Sequence, residues 1–398
     1  MSVSKSDIIT IGLVLSSVPG YSETFFRSKI KGLQRHGFKV ILFVDYINED
    51  EADLGCEVVV AKNFNAGVLK NTWYSFLALL KSFFLHPSKS LTLYRLNKID
   101  GISFKENFKQ VILNQFFLAQ NVDWLHFGFG MLAVHRENVA EAMQAKMAIS
   151  FRGFDLYLSP LKHPKCYDLL FKKDIKYHVL SQEMKEDLLN YNINSKNIKV
   201  ITPAINTQFF KSERQAVFTE KIQLITVARL HWKKGIEYTL EALAHLKNKG
   251  IAFHYTVIGD GAERERLIFA AHQLGILDQV TFTGKLSQNE VKTKLEKANI
   301  YIQYSIQEGF CNAVLEAQVL GLMCVVSNAE GLSENVLDGE TGWVVTKRKP
   351  KLLTEKIVEI INVSEDLKQK MRNVAISRVL SEFNLEKQQE KFVHFYQN

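Results

Sequence analysis

Ile300-Tyr-Ile-Gln-Tyr304, Ser305-Ile-Gln-Glu308-Gly309-Phe310, Cys311-Asn312-Ala-Val-Leu-Glu316-Ala-Gln-Val-Leu320-Gly321 reads as strand, loop and helix in immediate succession. The first segment is rich in β-branched and aromatic residues, as a buried strand requires. The second breaks that pattern. Asn312 is a good N-cap, 313–320 favours helix, and Gly321 suits the C-terminal stop. Glu308 is thereby expected in the loop above a strand end, and Glu316 in the first turns of the helix. Free amides at that helix start, with the positive end of the helix dipole, make an anion site that takes in Phe310, Cys311 and Asn312. Gly309 lets the backbone come close to a ligand. A loop glutamate can hold sugar hydroxyls, and a glutamate one turn in can accept from a ribose diol. The plain alternative is a loop cap and a solvated helix residue.

Working outward, the same alternation recurs along the chain. Strand patterns at 7–16, 39–45, 57–61, 122–127, 146–151, 177–180 and 198–202 have helical patterns between most of them, beginning with an amphipathic helix over 23–36. A second series follows at 223–228, 253–258, 280–283, 300–304, 323–327 and 343–345. Ser287 and Glu290 form a capping box for the helix after them, and Ser181 caps another. Residues 350–398 read as helical. This predicts an α/β protein with two doubly wound, Rossmann-like parallel-sheet domains facing a cleft. The expected boundaries are 1–205 for the first domain, 206–220 for a polar linker, 221–375 for the second domain, and 376–398 for a helix packing back on the first domain.

The 398-residue length suits two domains, and 46% hydrophobic with 23% charged residues is ordinary globular composition. Cys56, Cys166, Cys311 and Cys324 are scattered, which fits a reducing compartment and implies no disulfide framework. The first residues lack the pattern of a signal peptide, and no apolar run is long enough to span a bilayer. The chain is therefore expected to be cytoplasmic. The formal charge of +8 is unevenly placed: 62–109 holds eight basic and two acidic residues interleaved with aromatics. Such a segment can lie on an anionic membrane surface, giving a protein peripheral on the inner face of the cytoplasmic membrane. The plain alternative is a pair of helices with aromatic core faces. No nucleic-acid-binding motif accompanies the charge, and none is expected as a partner.

Arg229 follows a strand and Lys234-Gly235 opens the next helix, so both cations fall at a carboxyl edge, where they can hold a diphosphate and stabilise it as it leaves. Gly259-Asp-Gly261 follows a strand but lacks the third glycine of the dinucleotide fingerprint. It reads as a tight turn with a nucleotide contact. Gly284 and Lys285 can offer groups to a base, and Gly20 stands alone in the first loop.

The second half resembles a family 4 retaining glycosyltransferase of the GT-B fold. The resemblance lies in Val227-Ala-Arg-Leu-His-Trp-Lys-Lys-Gly235, Val257-Ile-Gly-Asp-Gly261, Val280-Thr-Phe-Thr-Gly284, the Glu308 to Ala317 stretch and Gly331-Leu-Ser-Glu-Asn-Val-Leu-Asp-Gly-Glu-Thr-Gly342. More faintly, Tyr21-Ser22-Glu23-Thr-Phe25, Leu125-His126, Phe129-Gly130 and Phe151-Arg152-Gly153-Phe-Asp155 are similar to segments of the colanic acid and amylovoran type of exopolysaccharide enzyme. The resemblance implies transfer of a sugar from a nucleotide-diphosphate sugar, with retention and without metal or other cofactor, to a surface glycan that is lipid-linked. It implies Glu308 at the donor sugar, Glu316 at the ribose, Arg229 and Lys234 at the diphosphate, Gly20 near donor phosphates and acceptor, and the 310–312 amides on sugar or phosphate. Ser22 and Glu23 fall on the acceptor side, and His126 and Arg152 near the reaction. Two departures stand out: Gly128 replaces a second histidine, and Arg152 replaces another. Arg152 can substitute a permanent charge for a hydrogen bond, select an altered donor sugar, or mark an impaired site. The alternative function is a catalytically silent subunit that binds the nucleotide sugar. The alternatives for the two residues are a core histidine at 126 and an Arg152 ion pair with Asp155.

Overall fold

The computed structural model describes residues 8–20, 24–47, 54–61, 77, 86–212 and 218–397. Within them the chain divides into two compact units. Unit 1 comprises the chain up to Val179, Lys185–Ile201 and everything from Gln389 onward; unit 2 comprises Leu180–Met184 and Thr202–Gln388.

Unit 1 holds a seven-stranded sheet of β1 (Thr10–Ser17), β2 (Lys39–Tyr46), β3 (Glu57–Val60), β4 (Trp124–Phe127), β5 (Lys146–Ser150), β6 (Ile175–Val179) and β7 (Ile198–Val200), in the order β3-β2-β1-β4-β5-β6-β7. Unit 2 holds a six-stranded sheet of β8 (Ile222–Val227), β9 (Phe253–Ile258), β10 (Val280–Gly284), β11 (Ile300–Gln303), β12 (Met323–Ser327) and β13 (Trp343–Val345), in the order β10-β9-β8-β11-β12-β13. Every pairing between these strands is parallel. A parallel sheet is covered on both faces, which is why β1, β4, β11 and β12 are near-continuous apolar runs.

In each unit the strand order reverses once, between β1 and β4 in unit 1 and between β8 and β11 in unit 2. Loops leaving the two strands on either side of such a reversal part in opposite directions and leave a crevice at the carboxyl edge. That places Gly20 beside the unit 1 switch point. In unit 2 it places the Arg229–Lys234 loop on one side of the switch point and the Glu308 loop on the other.

The helix Thr24–Arg35 buries Phe26, Ile30 and Leu33 in a core shared with Ile11, Leu13, Leu42 and Trp124. Phe392, Phe395 and Tyr396 of the last helix, Leu385–Gln397, join that core, and the Trp124 indole N–H donates to the Tyr396 carbonyl at 3.0 Å. The segment after residue 350, expected to be helical, forms three helices, Pro350–Asn362, Glu365–Glu382 and Leu385–Gln397. Ser364 accepts from the Leu367 amide and Asn384 from the Lys387 amide, so a side-chain cap restarts the helix at each break. The Ser287 and Glu290 capping box is present as expected.

Ser22, Glu23, most of 62–85 and residues 213–217 of the expected linker lie outside the described residues. Among the described residues no helix is long and apolar enough to cross a membrane.

Candidate active site

At the unit 2 switch point β8 ends at Val227 and the chain turns through Arg229 to a short 3-10 helix, Trp232–Lys234. Gly235 then starts the helix Ile236–Asn248 with φ +60°, and a Cβ there would lie 2.2 Å from the Tyr304 carbonyl oxygen. Only glycine fits, and the fit draws the Lys234 turn against the end of β11. The Ile306 amide donates to the Lys233 carbonyl at 2.7 Å, closing the two loops on each other.

Across that junction the Lys234 ammonium donates to Glu308 Oε2, and both side chains are largely buried. Burial alone would lower the Lys234 pKa. The Glu308 charge, the Cys311 thiol and the hydrogen bond to Glu308 outweigh it, holding the lysine above its ordinary range and fully charged. Ser305 Oγ donates to the same Glu308 oxygen at 3.4 Å, and the Glu308 amide donates to Glu330 Oε2 at 3.4 Å. Glu330 is itself paired with Lys347 at 3.0 Å. Arg229 is exposed at the mouth of this cluster.

The turn beyond Glu308 is fixed from β12. Gly331, at φ +74°, packs so closely that a Cβ would stand 1.9 Å from the Gly309 carbonyl oxygen. Asn335 accepts from the Cys311 amide at 2.9 Å and donates to the Cys311 carbonyl at 3.1 Å. This clamp corrects the sequence expectation for the helix start. Cys311, not Asn312, is the N-cap, and Asn312 is the first residue of the helix Asn312–Val319. The Cys311 amide is therefore occupied. Burial pushes the Cys311 thiol up to about 12, with the nearby Glu308 charge adding to the effect. Phe310 is buried against Phe383, with ring centroids 5.6 Å apart. One turn into the helix, desolvation pushes the Glu316 carboxyl up to about 7.

The glycines after β9 and β10 also meet at this edge. The Gly259 amide donates to the Gly284 carbonyl at 2.9 Å, and a Cβ on Gly259 would lie 2.0 Å from the Ala228 carbonyl oxygen. Lys285 is exposed beside them. The structure thus gathers Arg229, Lys234, Gly259, Gly284, Lys285, Glu308 to Asn312 and Glu316 on one edge of unit 2.

Gly20, His126 and Arg152 belong to unit 1. Gly20 closes the loop after β1, which Arg27 holds by donating to the Pro19 carbonyl at 3.0 Å; among the described residues beyond its chain neighbours, no atom lies within 4 Å of a Cβ built on Gly20. His126 requires a correction: it is a core histidine with no exposed surface. Its Nε2 is 2.8 Å from Ser150 Oγ, which is 2.7 Å from His178 Nδ1, and His178 Nε2 is 3.0 Å from the Ile201 carbonyl. Lys29 Nζ, at 3.3 Å, and Tyr396 Oη both reach His126 Nδ1. The terminal carbonyl can only accept, so the chain has one consistent direction: both rings carry hydrogen on Nε2, and His126 Nδ1 accepts. As placed, His126 has no atom free for a substrate. The Arg152 guanidinium lies over Phe25 at 3.8 Å and Phe26 at 4.5 Å. The Asp155 carboxylate accepts from the backbone amides of Arg152 and Gly130, at 2.7 and 2.8 Å.

Sequence reasoning missed Lys29, Ser150, His178, Glu330 and Asn335. Lys29 was findable, because it falls on the apolar stripe of Phe25, Phe26, Ile30 and Leu33. Asn335 sits inside a motif already singled out, but its clamp on Cys311 is a tertiary contact without local signature.

Residues 207–378 match the family profile described as "Glycosyl transferases group 1". They are a glycosyltransferase group 1 domain. The domain takes in all of the gathered edge, from Arg229 to Glu316 and on to Asn335. The chain is 26% identical over 274 residues to the amylovoran biosynthesis glycosyltransferase AmsK of Erwinia amylovora, covering 67% of each. It is 26% identical over 268 residues to the putative colanic acid biosynthesis glycosyltransferase WcaL of Salmonella typhimurium, covering 65% of this chain and 66% of that one. The match thus spans about two thirds of each relative. Among solved structures, the Anabaena protein HepE in complex with UDP and glucose superposes with TM-score 0.69 at 14% identity, covering 97% of this chain and 98% of that one. The fold around the transferase domain is that of GT-B glycosyltransferases: two Rossmann-like units, one with seven strands and one with six.

Proposed function

We propose that this protein transfers a sugar from a nucleoside-diphosphate sugar to a growing surface glycan, an exopolysaccharide, capsule or lipopolysaccharide carried on lipid. The transfer retains the anomeric configuration and needs no metal. The observation that carries the reading is the buried Lys234 and Glu308 pair at the unit 2 switch point, with Arg229 on the same loop. In the transfer the bond from the anomeric carbon to the diphosphate oxygen breaks and a bond to an acceptor hydroxyl oxygen forms. The acceptor proton passes to the leaving phosphate. Lys234 and Arg229 offset the charge that grows on the departing diphosphate, as fixed cations in a site with little water do best. Glu308 holds sugar hydroxyls and Glu316 the ribose diol. Partly exposed Gly20 leaves room for phosphate or acceptor at the unit 1 edge. Arg152 puts a permanent charge where relatives of this type have histidine, which suits a donor sugar bearing an acidic substituent.

The names of the relatives support an exopolysaccharide acceptor, and the UDP and glucose bound by HepE support a uridine donor. A thermal-shift panel of UDP, GDP, ADP, TDP and their sugar conjugates, run without added metal, tests the donor side. A shift confined to one nucleotide and lost in Glu316→Ala is expected. No shift with any of them at millimolar ligand would transfer weight to the silent-subunit alternative.

A further inference from the structure

The helices Pro87–Ile99 and Phe104–Leu113 of unit 1 form a hairpin with an amide cluster in its seam. Its inner side buries Asn97, Asn107 and Gln110 beside Leu93 and Val111. Buried Asn97 donates to Asn107 Oδ1 at 3.1 Å and to Gln110 Oε1 at 3.0 Å, and accepts from Asn138 at 2.9 Å. At the tip two large apolar residues stand outside: Ile99 is 80% and Phe104 72% exposed. Lys98, Lys105 and Lys109 are exposed on the same two helices, Lys109 paired with Glu106 at 3.4 Å. Single exposed apolar residues are ordinary. Two large ones at the tip of a hairpin cross-linked from within by hydrogen bonds, next in sequence to exposed Lys98 and Lys105, are not.

The tip adjoins a second feature. Asp100, in the hairpin turn, is paired with Lys173 at 2.6 Å and accepts from Asn138 at 2.6 Å. Lys173 lines a cavity of about 700 Å³ at the amino ends of β4 to β7, together with Lys146, Lys176, Lys196 and Lys199. Glu137, Glu141 and Asp174 also line it, but among the described residues only Lys173 of these five lysines has a carboxylate within ion-pair distance. Lys176 is pulled below its ordinary range by burial and by the charges of Lys199 and Lys146. The cavity carries surplus positive charge that the fold does not neutralise. It lies at the opposite edge of the unit 1 sheet from Gly20.

We propose that the hairpin tip and the lysine-lined cavity form one membrane-docking face, the cavity taking the headgroup phosphates of an anionic bilayer while Ile99 and Phe104 enter its interface. Apolar insertion and lysine attraction add, and neither alone holds a protein firmly to a membrane. Four of the five cavity lysines have no carboxylate partner to give up, so headgroup phosphates neutralise them without breaking an ion pair. The proposal deepens the sequence expectation of a membrane surface at 62–109 by placing it on the hairpin tip and adding the lysine-lined cavity. It does not depend on the transferase reading.

Co-sedimentation of the full chain with phosphatidylglycerol-containing vesicles, with phosphatidylcholine vesicles as control, tests it. Binding is expected on the anionic vesicles and is expected to weaken with salt. Lys196→Ala with Lys199→Ala should lower partitioning by about thirtyfold, roughly fivefold for each lysine removed. Phe104→Ser should lower it by about tenfold or more. A tryptophan placed at 104 should be quenched by brominated acyl chains. Circular dichroism confirms folding, and a nucleotide-induced thermal shift in the same variants reports on the transferase reading separately. Absence of anionic-vesicle binding at low salt, full binding in both variant sets, or tighter binding to single-stranded nucleic acid than to vesicles would each overturn the proposal.

Discussion

The Lys234 ammonium donates to Glu308 Oε2 from 74 positions away in sequence, and the two close the crevice at the unit 2 switch point. Each is the other's charge partner in a largely buried site, so removing one leaves the second uncompensated. Lys234→Ala should lower kcat/KM by about 10²- to 10³-fold, the effect of deleting one fixed charge at a leaving group. Lys234→Arg keeps the charge and should recover part of it. Steady-state kinetics on the two variants decides the point; equal rates in wild type and Lys234→Ala would remove Lys234 from the reaction.

Glu316 carries the pH prediction. Desolvation lifts its folded pKa to about 7 from an unfolded value near 4.5. The folded state therefore holds a proton that the unfolded chain gives up, and Glu316 lowers stability progressively as pH rises from about 4.5 to 7. Ribose hydroxyls need the ionised form as acceptor. Nucleotide affinity should accordingly rise as pH passes through 7 and level off above it. Glu316→Gln should flatten that profile and weaken binding at pH 8. Titration calorimetry between pH 6 and 8 measures both. A wild-type affinity independent of pH would show that the Glu316 carboxylate does not hold the nucleotide.

Period and punctuation made most of this fold legible. The strands stand out because a two-sided parallel sheet makes each an apolar run, and Gly235, Gly259 and Gly331 mark the close approaches of loops at their carboxyl ends. The unit 2 cluster was readable for the same reason: Arg229, Lys234 and Glu308 immediately follow strands. What sequence could not show is pairing at a distance. His126 looks like a site residue at a strand end. Its fate is set by Lys29, Ser150, His178 and Tyr396, the last of them 270 positions away. The Cys311 cap is likewise decided by Asn335 and not by the better local N-cap, Asn312.

The buried chain around His126 predicts acid sensitivity. Burial, then the charge of Lys29, holds the pKa of both His126 and His178 well below the ordinary 6.5. The unfolded chain binds these protons more readily than the folded one. Stability is therefore complete above about pH 6.5 and falls as pH drops below it. Lys29, with no carboxylate among its described partners, is lowered in the same direction by burial and by Arg152. Lys29→Met removes that buried ammonium, while Tyr396 can still donate to His126 Nδ1. The variant should be at least as stable as wild type at pH 7, by about 1–2 kcal/mol if the ammonium is charged there. Urea unfolding at pH 5.5 and 7.5 tests both statements. A large loss of stability in Lys29→Met would mean that the ammonium is a net support for the chain.

Two glycines separate architecture from ligand binding. Gly331 is left-handed at φ +74°, and any Cβ there would strike the Gly309 carbonyl oxygen at 1.9 Å, a backbone atom that cannot rotate away. Gly331→Ala must therefore shift the turn that carries Glu308. It should cost about 2–4 kcal/mol in urea unfolding and depress turnover with it. Among the described residues beyond its chain neighbours, nothing stands within 4 Å of where a Gly20 Cβ would lie. Gly20→Ala should leave stability within about 0.5 kcal/mol, so a rise in KM for donor or acceptor in that variant can only report a ligand that approaches the first loop. Wild-type kinetics in Gly20→Ala would exclude close passage of substrate there. Wild-type stability in Gly331→Ala would show that the Gly309 turn yields without cost, and that the contacts of Lys234, Ser305 and Glu330 position Glu308 without it.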